Sequence, residues 1–483
     1  MDFLKLEPIP APAIDLISLA PVLVLSVFGM MVLVTDLFIG KDKSILVFMS
    51  LTGLLMAAIS SLAKYNLPVF SFNGAYVVDH LSVFFTFIFC ISSALAILVS
   101  VDFNKREGIN VGEYYSLILF CTVGMVLLAS STDMIMIFLG IEVVSISLYI
   151  LAGIQRKNTK SNEAALKYFL LGAFATGFLL YGMALIYGST GSTKLTVIAN
   201  VISENKILSE PLMLMGVVLL IIGFGFKVAA VPFHMWAPDV YQGAPTPVTA
   251  FMAVGPKAAS LAAFYRVMSE TMPELSYSWE ILLCVVSVLS MFIGNFGAIM
   301  QSNIKRLLAF SSVAHVGYLL IAIIAKNSLS SSSLMFYMLT YAFMVFGTFG
   351  IVILLGRKGE ENLELENYSG LAYKHPVIAL TMTIFLLSLG GLPPLAGFVA
   401  KFFIFSAALK EGYIILVIIA VLNSAISFYY YLKVIVFMYM KEPVKEFHIS
   451  LTPMTLLVIA ISAFGTIQLG IFPDPIIALA QAN

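Results

Sequence analysis

Long apolar runs separated by short polar segments dominate the chain. A helix that crosses a bilayer needs about 20 mostly apolar residues. The runs that meet this requirement, in chain order, are 16–39, 45–63, 79–101, 113–131, 134–154, 164–188, 212–232, 246–269, 279–300, 304–325, 334–355, 376–409, 413–440 and 451–472. The longest connections are 189–211 and 356–375, which are too short for an independent domain. The pattern predicts an all-α polytopic membrane protein with about fourteen transmembrane helices.

Two of these spans contain helix breakers. Span seven runs into Pro232 and Pro238, and span twelve contains Gly390-Gly391 followed by Pro393-Pro394. Proline stops or kinks a helix because it lacks the backbone N–H and clashes with the preceding turn. Paired breaks at corresponding points of two halves are typical of transporters built from inverted repeats. We therefore expect two inverted five-helix repeats, spans 4–8 and 9–13, with broken helices 7 and 12.

These repeats divide the chain, which we expect to be a single membrane domain over 1–483. The predicted parts are three N-terminal helices (1–110), a first inverted repeat (111–270), a second inverted repeat (271–442) and a last helix (443–483). Lysine and arginine are roughly twice as frequent in the loops after odd-numbered spans as in the opposite loops, which predicts that the odd loops face the cytoplasm. Both termini would then lie on the outer, periplasmic side.

Composition narrows the possible functions. Of 483 residues, 60% are hydrophobic and 11% are charged, whereas soluble domains have about 25% charged residues. Twenty-six basic residues balance 26 acidic ones, which excludes a basic nucleic-acid binder. The cysteines Cys90, Cys121 and Cys284 are far apart, whereas an iron–sulfur cluster needs about four clustered thiolates. Phosphate-binding glycine motifs are also missing, so we expect no metal and no cofactor on this chain.

The few ionisable residues inside the spans are the candidate functional groups. At a rise of about 1.5 Å per residue, Glu142 lies about 13 Å into span five, and Lys257 and His315 lie about 16 Å into spans eight and ten. Lys227 precedes the break of span seven, and Lys401 follows the break of span twelve. A charge at the bilayer centre costs roughly 2.5–3.5 kcal/mol, so these groups should face inward as a polar axis.

A lysine and a carboxylate inside a membrane suit proton transfer. Loss of water disfavours an ammonium, and a nearby carboxylate favours it, so a lysine whose acidic partner approaches and withdraws can bind and release a proton. Neither a Ser-His-Asp arrangement nor a metal-ligand pattern stands out. The residues therefore indicate an ion or proton transporter, without indicating what drives it.

Structural interpretations compete with this function at several positions. Lys167 follows Glu163 by four residues and could pair with it or extend to the interface. Lys305 stands at a helix start, where a basic anchor is common, and His315 could be a hydrogen-bonded core residue. Asp79 and Asp133 open helices, where a carboxylate caps the N-terminus. Further residues with structural interpretations are Lys433, as a helix-end lysine, and His234 and Trp236, as an interfacial belt.

Three long segments resemble the antiporter-like membrane subunits of respiratory complex I. They are GFKVAAVPFHMWAPDVY (225–241) continuing through GAPTPVTAF (243–251) to Lys257, NIKRLLAFSS (303–312) with HVGY (315–318), and GGLPPLAGF (390–398) with Lys401. Within this family, APTPV and VGPK (254–257) are most similar to the N-type subunits of bacterial proton-translocating NADH:quinone oxidoreductase. M- and L-type subunits depart at these places.

The resemblance implies a proton-translocating subunit of a translocase that couples NADH oxidation by quinone to proton pumping across a bacterial inner membrane. FMN, iron–sulfur clusters and quinone would belong to partner subunits, and the neighbours would be other membrane-arm subunits, including antiporter-like ones. It further implies that Glu142 pairs with Lys227 and that Lys257 and His315 lead to Lys401 as the exit residue. Lys167 matches a lysine that this family has on the sixth helix, and Lys305 matches one at the start of the tenth. The alternatives are a subunit of a multisubunit sodium/proton antiporter or of a membrane-bound hydrogenase or formate hydrogenlyase.

Overall fold

The computed structural model describes residues 14–64, 68–205, 210–359, 362–444, 449 and 452–481. Within them the chain forms a short hairpin of strands β1 (Val69–Ser71) and β2 (Tyr76–Val78) and otherwise helices. The helices are α1 (Ala20–Asp36), α2 (Ser44–Ser61), α3 (His80–Glu107), α4 (Gly112–Ser130), α5 (Met134–Ala152), α6 (Thr159–Thr190), α7 (Leu195–Asn205), α8 (Pro211–Val228), α9 (Trp236–Gly243), α10 (Thr246–Tyr265), α11 (Ser276–Ile299), α12 (Ile304–Ala325), α13 (Ser330–Leu355), α14 (Leu371–Lys374), α15 (Pro376–Gly390), α16 (Ala396–Lys410), α17 (Ile414–Met440), α18 (Pro453–Ile471) and α19 (Asp474–Gln481).

The predicted spans are confirmed as helices. Twelve helices in the described part of the chain are long and apolar enough to cross a membrane. Two further crossings complete the predicted set: α1, which has 17 residues, and the broken pair α15 and α16, which have 15 residues each. The remaining short helices lie in the connections or form the second half of a broken span.

Contacts between loops agree with consecutive crossings. Asn303, after span nine, forms a backbone bridge with Glu364, after span eleven. Asp133, after span four, forms one with Lys194, after span six. Loops that follow odd-numbered spans thus contact each other, and so do loops that follow even-numbered spans. This grouping is what an uninterrupted series of membrane crossings requires.

The two predicted breaks are present and similar in form. Helix α8 ends at Val228, and Ala229 takes a left-handed conformation with φ of 61° before α9 begins. Helix α15 ends at Gly390, and Gly391 has φ of 96° before α16 begins. A left-handed conformation costs a residue with a Cβ more than it costs glycine. Each break also ends a helix inside the protein. The carbonyl groups at that helix end have no partner within the helix and need donors from elsewhere.

The surrounding helices pack as two similar sets. In the first, α4 contacts α5 and α6 contacts α8; in the second, α11 contacts α12 and α13 contacts both α15 and α16. Each set contributes five crossings, which is an odd number, so the second set enters from the opposite side of the membrane. The expected inverted repeats are confirmed as the architecture.

Three helices lie in the interior of this assembly. The most apolar 18-residue stretch of the span that begins with α10 (Thr246–Thr271) is completely buried, and 94% of the corresponding stretches of α12 and α13 is buried. In α2 and α6 only 33% is buried. Side chains on these central helices are therefore shielded from lipid. Lys257 and His315 lie on two of them.

The N-terminal helices are tied to the first repeat by a buried ion pair. The Arg266 guanidinium, 5% exposed, donates to both carboxylate oxygens of Asp79 at 2.8 and 3.0 Å. It also donates to the Ala129 carbonyl at 3.0 Å. The Asp79 carboxylate accepts from Ser82 N as well, which confirms the predicted helix cap, and Asp133 accepts from Ile135 N in the same way.

We expect Asp79→Ala to destabilise the fold strongly, because it leaves the buried guanidinium with only its longer contact to the Glu270 carboxylate at 3.3 Å. Loss of one partner of a buried pair costs about 3–5 kcal/mol. The matched variant Asp42→Ala removes an exposed carboxylate that bonds Ser44 and should cost about 1 kcal/mol or less. Limited proteolysis of the protein in native membranes at rising temperature measures both. Equal midpoint temperatures would contradict the role of the ion pair.

Candidate functional site

Lys227 lies one residue before the end of α8, beside the break. Its ammonium donates to the Ser145 hydroxyl on α5 at 2.8 Å and to the Thr176 hydroxyl on α6 at 3.2 Å. Glu142 stands one helical turn before Ser145, on the same face of α5, and is near enough to attract the Lys227 charge. The Glu142 Oε1 atom is buried and has no hydrogen-bond partner among the described residues. Among the described residues the acid and the base form no ion pair; Lys227 bonds the Ser145 hydroxyl, which itself donates to the Ile141 carbonyl.

Lys257 lies on the fully buried helix α10 and is 2% exposed. Its ammonium donates to the hydroxyl of Ser312 on α12. The next residue back, Ser311, shares a hydrogen bond of 2.5 Å with the hydroxyl of Tyr431 on α17. Ser312 thus joins the α10 lysine to α12, and the adjacent Ser311 joins α12 to α17.

His315 lies one turn farther along α12 and is 2% exposed. Its Nδ1 lies 2.6 Å from the Tyr337 hydroxyl, and its Nε2 lies 3.3 Å from the Tyr431 hydroxyl. The imidazole is also close enough to Lys257 and Lys401 to feel both charges. The interpretation of His315 as a hydrogen-bonded core residue is thus correct in geometry, and the same bonds place it between two lysines.

Lys401 reaches back across the second break. It stands on α16, and its ammonium donates to the Leu389 and Gly390 carbonyls at the end of α15, at 3.0 and 2.8 Å. It also donates to the Ser424 hydroxyl at 2.9 Å. The C-terminal end of a helix carries partial negative charge, which favours a cation there. A Cβ on Gly391 would lie 3.1 Å from the lysine side chain, so glycine also leaves it room.

A small cavity lies between Ser311 on α12 and Leu389 near the end of α15. It has a volume of about 10 Å³, enough for about one water molecule. Hydroxyls of Ser311, Tyr341 and Thr348 line it together with Leu389, whose carbonyl accepts from Lys401. A water there would continue the line of polar groups from Ser311 toward the α15 end.

Lys305 lies at the start of α12 and is fully buried. Its ammonium donates at 2.7 Å to the Ala244 carbonyl, at the C-terminal end of α9. The first broken span thus ends against a lysine, as the first half of the second broken span does. The competing interpretation of Lys305 as a surface anchor is wrong, because its side chain is inside the protein.

Lys167 belongs to an ion-pair network around α9. Its ammonium lies 2.7 Å from Glu163 and 2.8 Å from Asp239, and its side chain is 41% exposed. Asp239 also accepts from Arg306 on α12 at 2.7 Å. Asp239 therefore joins α6, α9 and α12, and the pairing with Glu163 expected as an alternative is present as well.

The structure buries four of the seven predicted residues: Lys257, Lys305, His315 and Lys401. Glu142 and Lys227 are partly buried, and the Lys167 side chain is 41% exposed. Lys227, with the Ser145 and Thr176 hydroxyls, forms one group near Glu142; the other group is Lys257, His315 and Lys401 with hydroxyls on α12, α13 and α17. Lys227 and Lys257 have no common hydrogen-bond partner in the described part of the chain. A proton passing from one group to the other therefore needs water or a side-chain movement.

Several polar residues of this region carried no signal in the sequence. Ser312, Tyr431 and Ser424 are ordinary hydroxyl residues in apolar runs, and only their contacts with lysines or His315 distinguish them. Asp239 had one available signal: it is an acidic residue just past the prolines of span seven.

The structure also tests the structural interpretations of Trp236 and Lys433. Trp236 is 4% exposed, donates to the Phe226 carbonyl at 3.1 Å and stacks on Tyr168, so its assignment to an interfacial belt is wrong. Lys433 donates to the Gln301 carbonyl at 3.1 Å, beyond the end of α11, which agrees with a helix-end lysine. Among the described residues, no group of three or more His, Cys, Asp or Glu side chains could hold a metal ion.

Comparison with known proteins shows the family to which the chain is similar. Residues 131–427 match the family model described as the transmembrane region of NADH:quinone oxidoreductase and Mrp antiporters. The chain is 48% identical over 470 residues to NADH-quinone oxidoreductase subunit N of Trichlorobacter lovleyi, covering 97% of this chain and 96% of that protein. It is 41% identical to the subunit N of Chloroflexus aggregans, covering 99% of both.

Solved structures agree with the architecture. A chain of respiratory complex I from Thermus thermophilus is 34% identical, with a TM-score of 0.81, over 96% of this chain and 100% of that one. A chain of the Mrp complex from Dietzia is 21% identical, with a TM-score of 0.82, over 96% of both chains. The second likeness concerns the fold alone.

We expect Asp239→Asn to loosen α9, because it weakens charged hydrogen bonds to Lys167 and Arg306. Amide exchange over residues 229–243 should rise about tenfold, which corresponds to about 1.4 kcal/mol for two partly exposed pairs. Glu163→Gln is the matched control, since Glu163 pairs with Lys167 but lies on the same helix. Hydrogen exchange measured by mass spectrometry compares the two variants. Similar exchange in both would mean that Asp239 does not anchor the helix.

Proposed function

The chain belongs to the subunit N family of NADH-quinone oxidoreductases, and from this membership we propose that its buried lysines carry protons through the subunit. As a member, it is a proton-translocating membrane subunit of respiratory complex I, and its partners are the other membrane-arm subunits. We further propose that FMN, the iron–sulfur clusters and quinone are held by partner subunits. Electron transfer would then act on this chain only through its neighbours.

One observation carries the proposal for the path. Four lysines and a histidine lie inside a membrane-spanning bundle, and hydroxyl groups or helix-end carbonyls contact each of them. Such sites hold an ammonium without a direct ion pair, so the charge is stabilised moderately and can be lost. We assign Lys227, Lys257, His315 and Lys401 to the path, with Glu142 as the acid that modulates Lys227.

The physical basis of transfer is the balance of charges along this line. A carboxylate favours a nearby ammonium, and a neighbouring cation disfavours it. Protonation of Lys257 therefore opposes a second charge on His315 and promotes passage of a proton toward Lys401. Movement of the Glu142 charge would start the sequence, because Lys227 then loses its only nearby carboxylate among the described residues.

Lys167 and Lys305 have supporting positions in this scheme. Lys305 stabilises the end of α9, and Lys167 joins that helix to α6 through Asp239. We propose that both adjust the position of the first broken span, and so the access of protons to Lys227. The residue divisions at 110, 270 and 442 are proposed as the boundaries of the N-terminal helices and the two repeats.

The proposed location is the bacterial inner membrane. Loops after odd-numbered spans would face the cytoplasm and both termini the periplasm, on the basis of the distribution of Lys and Arg. A role in a sodium/proton antiporter or a membrane-bound hydrogenase has less support. The Mrp chain shares the fold at 21% identity, whereas the relatives at 41–48% identity are named subunit N.

We expect Lys227→Met, Lys227→Arg and Glu142→Gln each to lower proton pumping per NADH oxidised while the complex still assembles. Loss of a proton-transfer group typically slows a step by about 10²-fold or more. Arginine keeps the charge but does not release a proton, so it distinguishes proton exchange from a structural role of the cation. Proton uptake by vesicles containing the purified complex is the measurement.

Lys433→Met is the control for this experiment, because Lys433 contacts carbonyls near a helix end. Pumping in that variant should stay near normal. Normal pumping by Lys227→Arg would show that the position needs only a charge, and would remove Lys227 from the path.

Two tyrosines test the path in the second repeat. Tyr431→Phe removes the hydroxyl between Ser311 and His315, whereas Tyr115→Phe removes a hydroxyl on α4 that bonds Asn110 at 3.1 Å. We expect the first to reduce the pumping rate about 10²-fold, the lower end of the range for loss of a proton-transfer group, and the second to leave it nearly unchanged. Parallel measurements of pumping and NADH oxidation test this. Equal effects would place the path elsewhere.

A further inference from the structure

A large cavity lies outside the lysine axis, where loops meet at one end of the bundle. Its volume is about 890 Å³, and it is bounded by the end of α3, the start of α4 and the connection between α5 and α6. Gly359, after α13, forms part of its rim. The proposed proton path uses none of its residues.

One wall of this cavity is apolar and belongs to membrane spans. Leu117 and Val111 line it from the α4 side, and Ile150 and Ile154 line it from the α5 side. Leu117 is five residues into α4, about 8 Å from its start. The wall therefore extends from the helix ends toward the hydrocarbon region.

The lining also contains four charged residues, of which Arg156 and Lys157 are adjacent in the connection between α5 and α6. Arg156 and Lys157 are exposed and form no ion pair within the described residues. The acid Glu107 already accepts from Arg106 at 3.0 Å and from Gly359 N at 3.2 Å. Glu113 lies in the first turn of α4, where a carboxylate complements the helix dipole. Glu113 is exposed on α4, whereas Arg156 and Lys157 are adjacent to each other, so this pair presents two cations to an external anion.

We propose that this cavity binds an anionic phospholipid. The phosphate would lie between Arg156 and Lys157, and an acyl chain would lie along Leu117 and Ile150. A free inorganic anion would use the cations but leave the apolar wall in contact with water. Basic pockets between membrane helices on the cytoplasmic side recognise lipid headgroups in this way.

The position of the cavity in the chain supports this ligand. Its lining comes from loops after spans three, five and eleven, all on the side that the distribution of Lys and Arg assigns to the cytoplasm. The cytoplasmic leaflet is the one whose anionic lipids attract basic segments. The proposal does not depend on the proton path, so failure of one leaves the other standing.

Photocrosslinking to the intact complex tests the site. The purified, delipidated complex is placed in nanodiscs with phosphatidylglycerol carrying a diazirine in the acyl chain, or with the matching phosphatidylcholine. We expect phosphatidylglycerol to label peptides covering 109–117 and 150–158 about tenfold more than phosphatidylcholine, given two cations at the headgroup. The variant Arg156→Ala/Lys157→Ala should reduce labelling to the phosphatidylcholine level.

Lys160→Ala/Lys374→Ala is the control, because it removes two exposed basic residues on the same side that do not line the cavity. Its labelling should equal that of the native complex. Equal labelling by both lipids, or no loss in the Arg156→Ala/Lys157→Ala variant, would overturn the proposal. Abolition of labelling by inorganic phosphate would point instead to a free anion, and protein–protein crosslinks at 150–158 would show that a partner subunit occupies the cavity.

Glu360 and Glu361 follow Gly359 in the sequence and are a possible internal source of negative charge. The variant Glu360→Gln/Glu361→Gln is therefore measured in parallel. Unchanged labelling is expected. A large increase would show that these carboxylates, rather than lipid phosphate, occupy the cations in the native protein, and would also overturn the proposal.

Discussion

The cost of holding a charge inside a membrane governs the organisation of this protein. A lysine at the bilayer centre is tolerated only if the protein replaces the water around its ammonium. The chain does this for Lys257 with a serine hydroxyl and for Lys401 with two helix-end carbonyls and a hydroxyl. The central position of α10, α12 and α13 follows, because helices that carry such groups must be surrounded by other helices.

The broken spans meet the same requirement from the backbone side. A helix that ends inside a membrane protein leaves carbonyls without donors, and a buried lysine has donors without acceptors. Lys401 satisfies the end of α15, and Lys305 satisfies the end of α9. Lys401 thus bonds carbonyls at the second break itself, and Lys305 bonds one at the far end of the first broken span. This pairing also makes a site that can respond to movement, because a shift of either half-helix changes the surroundings of an ammonium.

The lysines of the proposed path share one property: their surroundings stabilise the ammonium charge moderately rather than maximally. Lys227 bonds two hydroxyls, one of them Ser145, a turn from Glu142 on α5, whereas the structural cation Arg266 has a bidentate carboxylate. The first arrangement allows proton loss, and the second holds a permanent charge between the N-terminal helices and the first repeat. The cost of a buried charge is thus met in two ways, by a site that can exchange a proton and by a permanent ion pair. Arg156 and Lys157, which line the cavity at the end of the bundle, are a third kind of cation, exposed and without an ion pair in the described residues.

Much of this organisation was determined by the sequence alone. The apolar runs specified the crossings, and the prolines and glycines near Pro232 and Gly391 specified the breaks, because both depend on local properties of the chain. The depths of Glu142, Lys257 and His315 followed from the rise of a helix, and family resemblance added Lys167 and Lys305. The tertiary structure alone decided the contacts: Ser145 beside Lys227, Tyr431 beside His315, Asp239 between two cations, and the burial of Lys305 and Trp236. These depend on how helices far apart in sequence pack together, which the periodicity of any single helix does not contain.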